Sequence, residues 1–222
     1  MVSMKRSMLF FIFIVLLGNA AFAGFLSGNS SPYVNKIGAY AFKVNSSILM
    51  VGTPFSSICL AGKYCYDENI DIYAKYGVGT IDYTTVTGTK LTNDPQVSAF
   101  GFGYLLSGSR EAEYSAFVAE YEAVSWSINK KSNISNEIMF GIEYSSLTSD
   151  LIRTRYRLAL DNFNAGFESE EKLGTSVKYS LSTEIDYSFS PKLRSSFEAG
   201  IYFGDPIGGI IALFGVGFGF NL

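Results

Sequence analysis

Histidine is missing from this 222-residue chain. General acid–base catalysis near neutral pH most often relies on an imidazole, so the absence counts against most hydrolytic sites. No Ser stands in a GxSxG setting, and no metal-ligand cluster or phosphate-cradling loop is visible. The glycine-rich runs GFGYLLSG and GVGFGF read as strands that need room. Neither an enzymatic activity nor a cofactor is expected. Charged residues are scarce at 17%, below the ~25% usual in soluble domains. The net charge of −3 and the lack of any basic run beyond Lys130-Lys131 after residue 23 predict no nucleic-acid partner. Nor does any apolar run after residue 23 approach the ~20 residues of a membrane-spanning helix. A chain of this kind can cross a bilayer only as a closed barrel.

The first residues, MVSMKRSMLFFIFIVLLGNAAFA, carry Lys5 and Arg6 and then an apolar run from Met8 to Leu17. Ala21-Phe22-Ala23 is a small-x-small cleavage signal. This pattern predicts a secretory signal peptide over 1–23 and one domain over 24–222.

The chain as a whole is rich in aromatics, with 19 Phe and 15 Tyr, and in glycine, but it holds only 5 Pro. It divides into segments that alternate with a period of two. LIRTRYRLAL at 151–160 places Arg153, Arg155 and Arg157 on one face and Ile152, Tyr156, Leu158 and Leu160 on the other, as a strand does and a helix does not. Strands are expected near 36–44, 58–66, 69–83, 96–107, 113–127, 134–146, 150–163, 174–189, 193–203 and 209–220. Tight turns are expected at 66–69, 107–111, 147–149 and 190–192, and longer polar loops at 45–57, 84–95 and 164–173. Ten strands result, with eight or twelve open because SSILMVG at 46–52 can extend a strand or add a hairpin.

Assigning each strand's apolar row to one face collects nearly all strand charges on the other. They are Lys43, Lys63, Asp71, Lys75, Glu120, Glu122, Glu143, Arg153, Arg155, Arg157, Lys178, Glu184, Asp186, Arg194 and Glu198. Two architectures share this parity. A secreted, lipocalin-like ligand-binding barrel turns the oil inward, and a membrane barrel turns it outward to lipid.

The last residues are LFGVGFGFNL. Gly215, Phe218 and Phe220 match the Gly-x-x-aromatic-x-aromatic signal of bacterial outer-membrane β-barrel proteins. The chain resembles the small barrels of that group, which includes OmpA-like, OmpX-like and opacity-type proteins. The group usually ends on the final aromatic, whereas this chain continues with Asn221 and Leu222. The resemblance implies an antiparallel up-and-down transmembrane β-barrel in the bacterial outer membrane. Its implied partners are outer-membrane lipid, the barrel-assembly machinery and a host or surface ligand met by the outer loops. It implies a structural or adhesin-like role, with a narrow passive pore as the alternative. The barrel enzymes of this group depend on a catalytic histidine, which this chain lacks.

Three arginines in a row would each cost ~2–4 kcal/mol at mid-depth on a lipid face, so they are expected inside the barrel. A turn at Leu147-Thr148-Ser149 would set Glu143 opposite Arg153. Glu184 and Asp186 would come from the next strand, and Glu120 and Glu122 from across the lumen. The pair at 120 and 122 is read as partners of the arginines, not as an acid–base couple. Recognition is expected in the loops, including the acidic stretch with Glu168, Glu170 and Glu171. Cys59 and Cys65 lie six residues apart on one expected strand, about 20 Å. That is too far for the ~7 Å limit of a disulfide.

Overall fold

The computed structural model describes residues 38–222, apart from 52, 85–89, 129–130, 167–175 and 205–208. The expected signal peptide, with Ala21 and Ala23, lies outside these residues. So do Glu168, Glu170 and Glu171.

Among these described residues eleven strands form one antiparallel sheet: β1 (Tyr40–Val51), β2 (Thr53–Cys65), β3 (Ile70–Thr84), β4 (Lys90–Asn93), β5 (Gln96–Gly108), β6 (Tyr114–Ile128), β7 (Lys131–Ser149), β8 (Ile152–Gly166), β9 (Ser176–Ser188), β10 (Leu193–Gly204) and β11 (Gly209–Asn221). Each pairs with its chain neighbours except that β3 pairs with both β4 and β5, and β1 pairs with β11 from Ala41↔Asn221 to Met50↔Ala212, which closes the sheet on itself. The short β4 pairs with the end of β3 that β5 leaves uncovered. Asp94 and Pro95 separate β4 from β5, and proline cannot donate to a ladder. β4 and β5 therefore form one broken stave, and the barrel has ten.

The stagger follows from the pairing. Met50 faces Ala212, and the line continues through Ile201, Leu181, Leu158, Ile142, Phe117 and Tyr104 to Ile70. One more step on each of β2 and β1, through Tyr66, reaches Gly38. A full turn of the barrel thus climbs from residue 38 to residue 50, a stagger of 12. Ten strands with that stagger tilt by about 40° and enclose a backbone radius of about 10 Å.

Alternation sorts the two faces. On β8, Arg153, Arg155, Arg157 and Ala159 are buried inside while Tyr156, Leu158 and Leu160 face out; Arg157 is 3% exposed and Leu158 57%. The outer wall is Ile, Leu, Val, Phe and Tyr, including Phe100, Phe102, Ile138, Phe140, Leu181 and Phe197. Oil outside and charge inside is the arrangement of a transmembrane barrel and the reverse of a lipocalin-like one. The buried apolar clusters are small, such as Val118, Met139 and Ala159.

One end carries short turns, made from local chemistry. Asp67 Oδ1 accepts from the amides of Asn69 (2.7 Å) and Ile70 (2.6 Å). Gly108 takes φ 85° before the turn at 109–113, a conformation that a side chain disfavours. Ser190 Oγ accepts from the amides of Lys192 and Leu193.

Two expectations need correction. The stretch 45–57 is not a long loop: β1 and β2 pair continuously up to Val51↔Thr53, so SSILMVG extends the first strand. The turn after β7 is not 147–149. β7 runs to Ser149, the connection is Asp150-Leu151, and a register shift lies between Leu147 and Ser149. Arg153 therefore faces Leu147, and Glu143 faces Arg157. The tighter turn moves the pairing two residues along each strand.

Candidate functional site: the charged lumen

The inner rows of the strands converge on a lumen crowded with ion pairs. At the short-turn end, Asp71 on β3 receives Lys63 from β2 at 3.0 Å and the guanidinium of Arg110. Arg110 belongs to the β5–β6 turn, yet its side chain is buried, and its Nη2 donates to Asn69 O at 3.0 Å. Arg153 holds the same turn from the opposite wall. Its Nη1 donates to Ala112 O and its Nη2 to Glu111 O, both at 3.0 Å, and Nη1 also reaches Ser145 Oγ at 2.9 Å. Two guanidiniums thus draw one turn across the mouth of the barrel.

Deeper in, Glu143 on β7 accepts from Arg157 Nη2 at 2.7 Å and from the Tyr114 hydroxyl at 2.9 Å. Lys75 on β3 pairs with Glu120 on β6 at 2.7 Å. Arg155 on β8 bonds Glu184 at 2.5 Å and Asp186 at 3.1 Å, and Glu184 also receives Lys43 from β1. Glu122 is buried on the same inner row as Glu120. Tyr73 lies between Lys63 and Lys75, whose ammonium groups stand 5.9 and 5.5 Å from its ring centre. The ring can lie flat against the wall because residue 101 is glycine: a Cβ there would be 2.5 Å from Tyr73 Cζ.

All eight charged residues singled out from the sequence, namely Arg153, Arg155, Arg157, Glu143, Glu120, Glu122, Glu184 and Asp186, point inward and are buried. Arg194 is half-buried, and the side chain of Lys178 lies outside the described ones. Arg110 and Glu137 are inner residues that sequence reasoning missed. Glu137 shares the parity of Glu143 on β7 and was legible from it. Arg110 sits in a turn, where no periodicity tells which way a side chain points. Of the terminal motif, Gly215 faces the lumen and Phe218 and Phe220 face out, Phe218 half-buried and Phe220 exposed. Cys59 and Cys65 are free thiols on the inner row of β2.

No family model and no curated protein sequence matches the chain. Solved structures do. The β domain of the Bordetella autotransporter BrkA aligns with a TM-score of 0.54 at 11% identity, over 84% of this chain and 100% of that one. The translocator domain of NalP from Neisseria meningitidis gives 0.49 at 10% identity, over 84% and 89%. Ail, the attachment invasion locus protein of Yersinia pestis, gives 0.37 at 8% identity, over 84% and 100%. At such identities likeness speaks for the fold alone, and the BrkA alignment carries that argument. The fold is that of the bacterial outer-membrane β-barrels.

Proposed function

We propose that this protein is an outer-membrane barrel with a structural or surface-binding role, its outer connectors making contact with a ligand and its lumen closed to general diffusion. The observation that carries the reading is the filled lumen. Its short-turn mouth is crossed by the turn that Arg110 and Arg153 hold, and its middle is tied by Arg157–Glu143, Lys75–Glu120 and Arg155–Glu184. A ten-stranded barrel is little wider than the eight-stranded one that side chains fill.

Strand length supports the surface role. β7 has 19 residues, roughly 45–50 Å of barrel height at ~3.3 Å per residue and ~40° of tilt. The apolar band of an outer-membrane barrel is ~25 Å. The surplus makes a rigid collar past the lipid, and a rigid collar presents connectors well. A narrow passive pore is the second reading, favoured by a lumen that is polar along its length.

Planar-bilayer recording separates the two. The proposal expects little steady conductance from the wild type and a rise when Arg153, Arg155 and Arg157 are all replaced by Ser. A large, stable open channel in the wild type would overturn it in favour of the pore.

A further inference from the structure

The outer wall is not evenly filled. Across β7 to β10 one pairing line carries Ile142, Leu158, Leu181 and Ile201, all bulky and exposed. Across β1 to β5 the corresponding line runs Phe42, Gly62, Ala74 and Phe100. Two neighbouring strands thus present a glycine and an alanine where the other wall presents leucines. An outward-facing groove of about 840 Å³ results. Gly62 and Ala74 lie in its floor, and Tyr64, Phe100, Phe102 and Tyr121 stand around it.

Ring pairs build the rim. Tyr40 stacks on Tyr64 with centroids 4.6 Å apart, at the end of the groove nearest the turn at 66–69. Phe100 packs against Tyr121 at 5.4 Å on the far side. Phe42 leans over the floor, since a Cβ on Gly62 would be 3.4 Å from its Cε1. The outward-facing lining is hydrocarbon apart from tyrosine hydroxyls. Lys63 and Glu120 also border the groove, but they turn their charges inward to Asp71 and Lys75. From Tyr64 the groove reaches Ile138 on β7. Two residues along β2 and the stagger over the intervening staves give roughly 17 Å of height at ~3.3 Å per residue and ~40° of tilt. That is more than half of the ~25 Å apolar band, so the groove spans one leaflet.

We infer that this groove seats an acyl chain of one phospholipid from the leaflet on the short-turn side. The wall faces lipid, so what meets the groove is hydrocarbon. The tyrosine pair at its near end suits the headgroup level, where rings with one wet edge settle. A flexible chain can lie along the hollow and fill it. A second copy of the barrel fits worse: a two-fold interface sets the same patch against itself, and two hollows face to face leave a void. The site is one molecule in a fixed place, beyond the loose shell of lipid around any such barrel. The inference rests on the fold and not on the surface-binding role, and its failure leaves the conductance experiment untouched.

The test is native mass spectrometry of the full barrel released from nanodiscs made of a single phosphatidylethanolamine. Ala74→Phe fills the floor from the lipid side. Ala199→Phe, on the outer row of β10, adds the same ring to another wall. The wild type and Ala199→Phe are expected to keep one phospholipid each, and Ala74→Phe to lose it. No retained lipid on the wild type, equal retention on Ala74→Phe, or equal loss from Ala199→Phe overturns the proposal. A dimer of the wild type that Ala74→Phe breaks up overturns it in favour of a second copy. If Ala74→Phe lacks the heat-modifiable gel mobility of a folded barrel, the wild type decides in vesicles holding a phosphatidylethanolamine with a photoactivatable acyl chain. Crosslinks concentrated on β1, β2, β3 and β5 support the site, and crosslinks spread evenly around the barrel overturn it.

Discussion

Lys43 reaches Glu184 across two intervening strands. Lys43 stands on β1 and Glu184 on β9, with β11 and β10 between them. The lysine stem passes over Gly217 of β11, where a Cβ would be 2.6 Å from Lys43 Cε, 2.8 Å from Ser196 Oγ and 3.0 Å from Val44 O. The ion pair therefore exists because residue 217 has no side chain.

Gly217→Ala is expected to destabilise the barrel by about 1–3 kcal/mol, the range for forcing an extra methyl into a packed site. Gly219→Ala is the control, since its Cβ would meet only Phe42 O, at 3.4 Å. The temperature at which the folded gel band is lost should fall clearly for the first and little for the second. Equal effects would show that Lys43 does not need the passage.

Glu143 is the acceptor for Arg157 and Tyr114. Glu143→Ala leaves a buried guanidinium without its counter-ion and should cost roughly 3 kcal/mol. Glu68→Ala, in an exposed turn, should change stability by less than about 0.5 kcal/mol. Urea titration of the two variants in detergent checks the contrast.

The β5–β6 turn is held by Arg110 from within and Arg153 from across the mouth. Replacing both by Ser should free the turn and raise single-channel conductance. The same change at Lys192, which is exposed in another short turn, should not. Unaltered conductance in the double variant would remove the turn from the account of closure.

Cys59 and Cys65 lie on one inner row of β2. Both should alkylate fully in denaturant without any reductant, and gel mobility should not depend on reductant. A blocked pair in the unreduced protein would mean that β2 is not a continuous strand.

Phe218→Ala with Phe220→Ala should lower the amount of protein in the outer-membrane fraction while export across the inner membrane continues. Both rings stand on the outer row of β11. Unchanged outer-membrane levels would remove these rings from any role as an assembly signal.

Much of this barrel could be read from period alone. The three arginines of β8 and the carboxylates of β6, β7 and β9 declared their face because a strand gives every second side chain the same side. Partnership was less legible than sidedness. Glu143 pairs with Arg157 and not Arg153 because a two-residue connection at Asp150-Leu151 and a bulge near Ser149 set the register. Turn geometry of that kind has no hydrophobic signature. The stretch 45–57 read as a loop because its serines and Pro54 are poor strand formers. It is a hairpin because β11 and β3 flank it on either side and supply its backbone partners. Arg110 was hidden for a similar reason: only the assembled wall shows that its turn bends over the mouth.

The pairing of β1 with β11 has a consequence for the order of events. Every other junction in the barrel joins staves that follow one another along the chain, but this one joins Ala41 to Asn221, 180 residues apart. Contacts of such long range form late and slowly. Until the final strand exists, the growing sheet has two raw edges, each able to pair with a foreign strand. Closure must therefore follow synthesis of β11. Lys43, reaching from the first stave past the last one to Glu184, acts as a clasp that can shut only after the seam has.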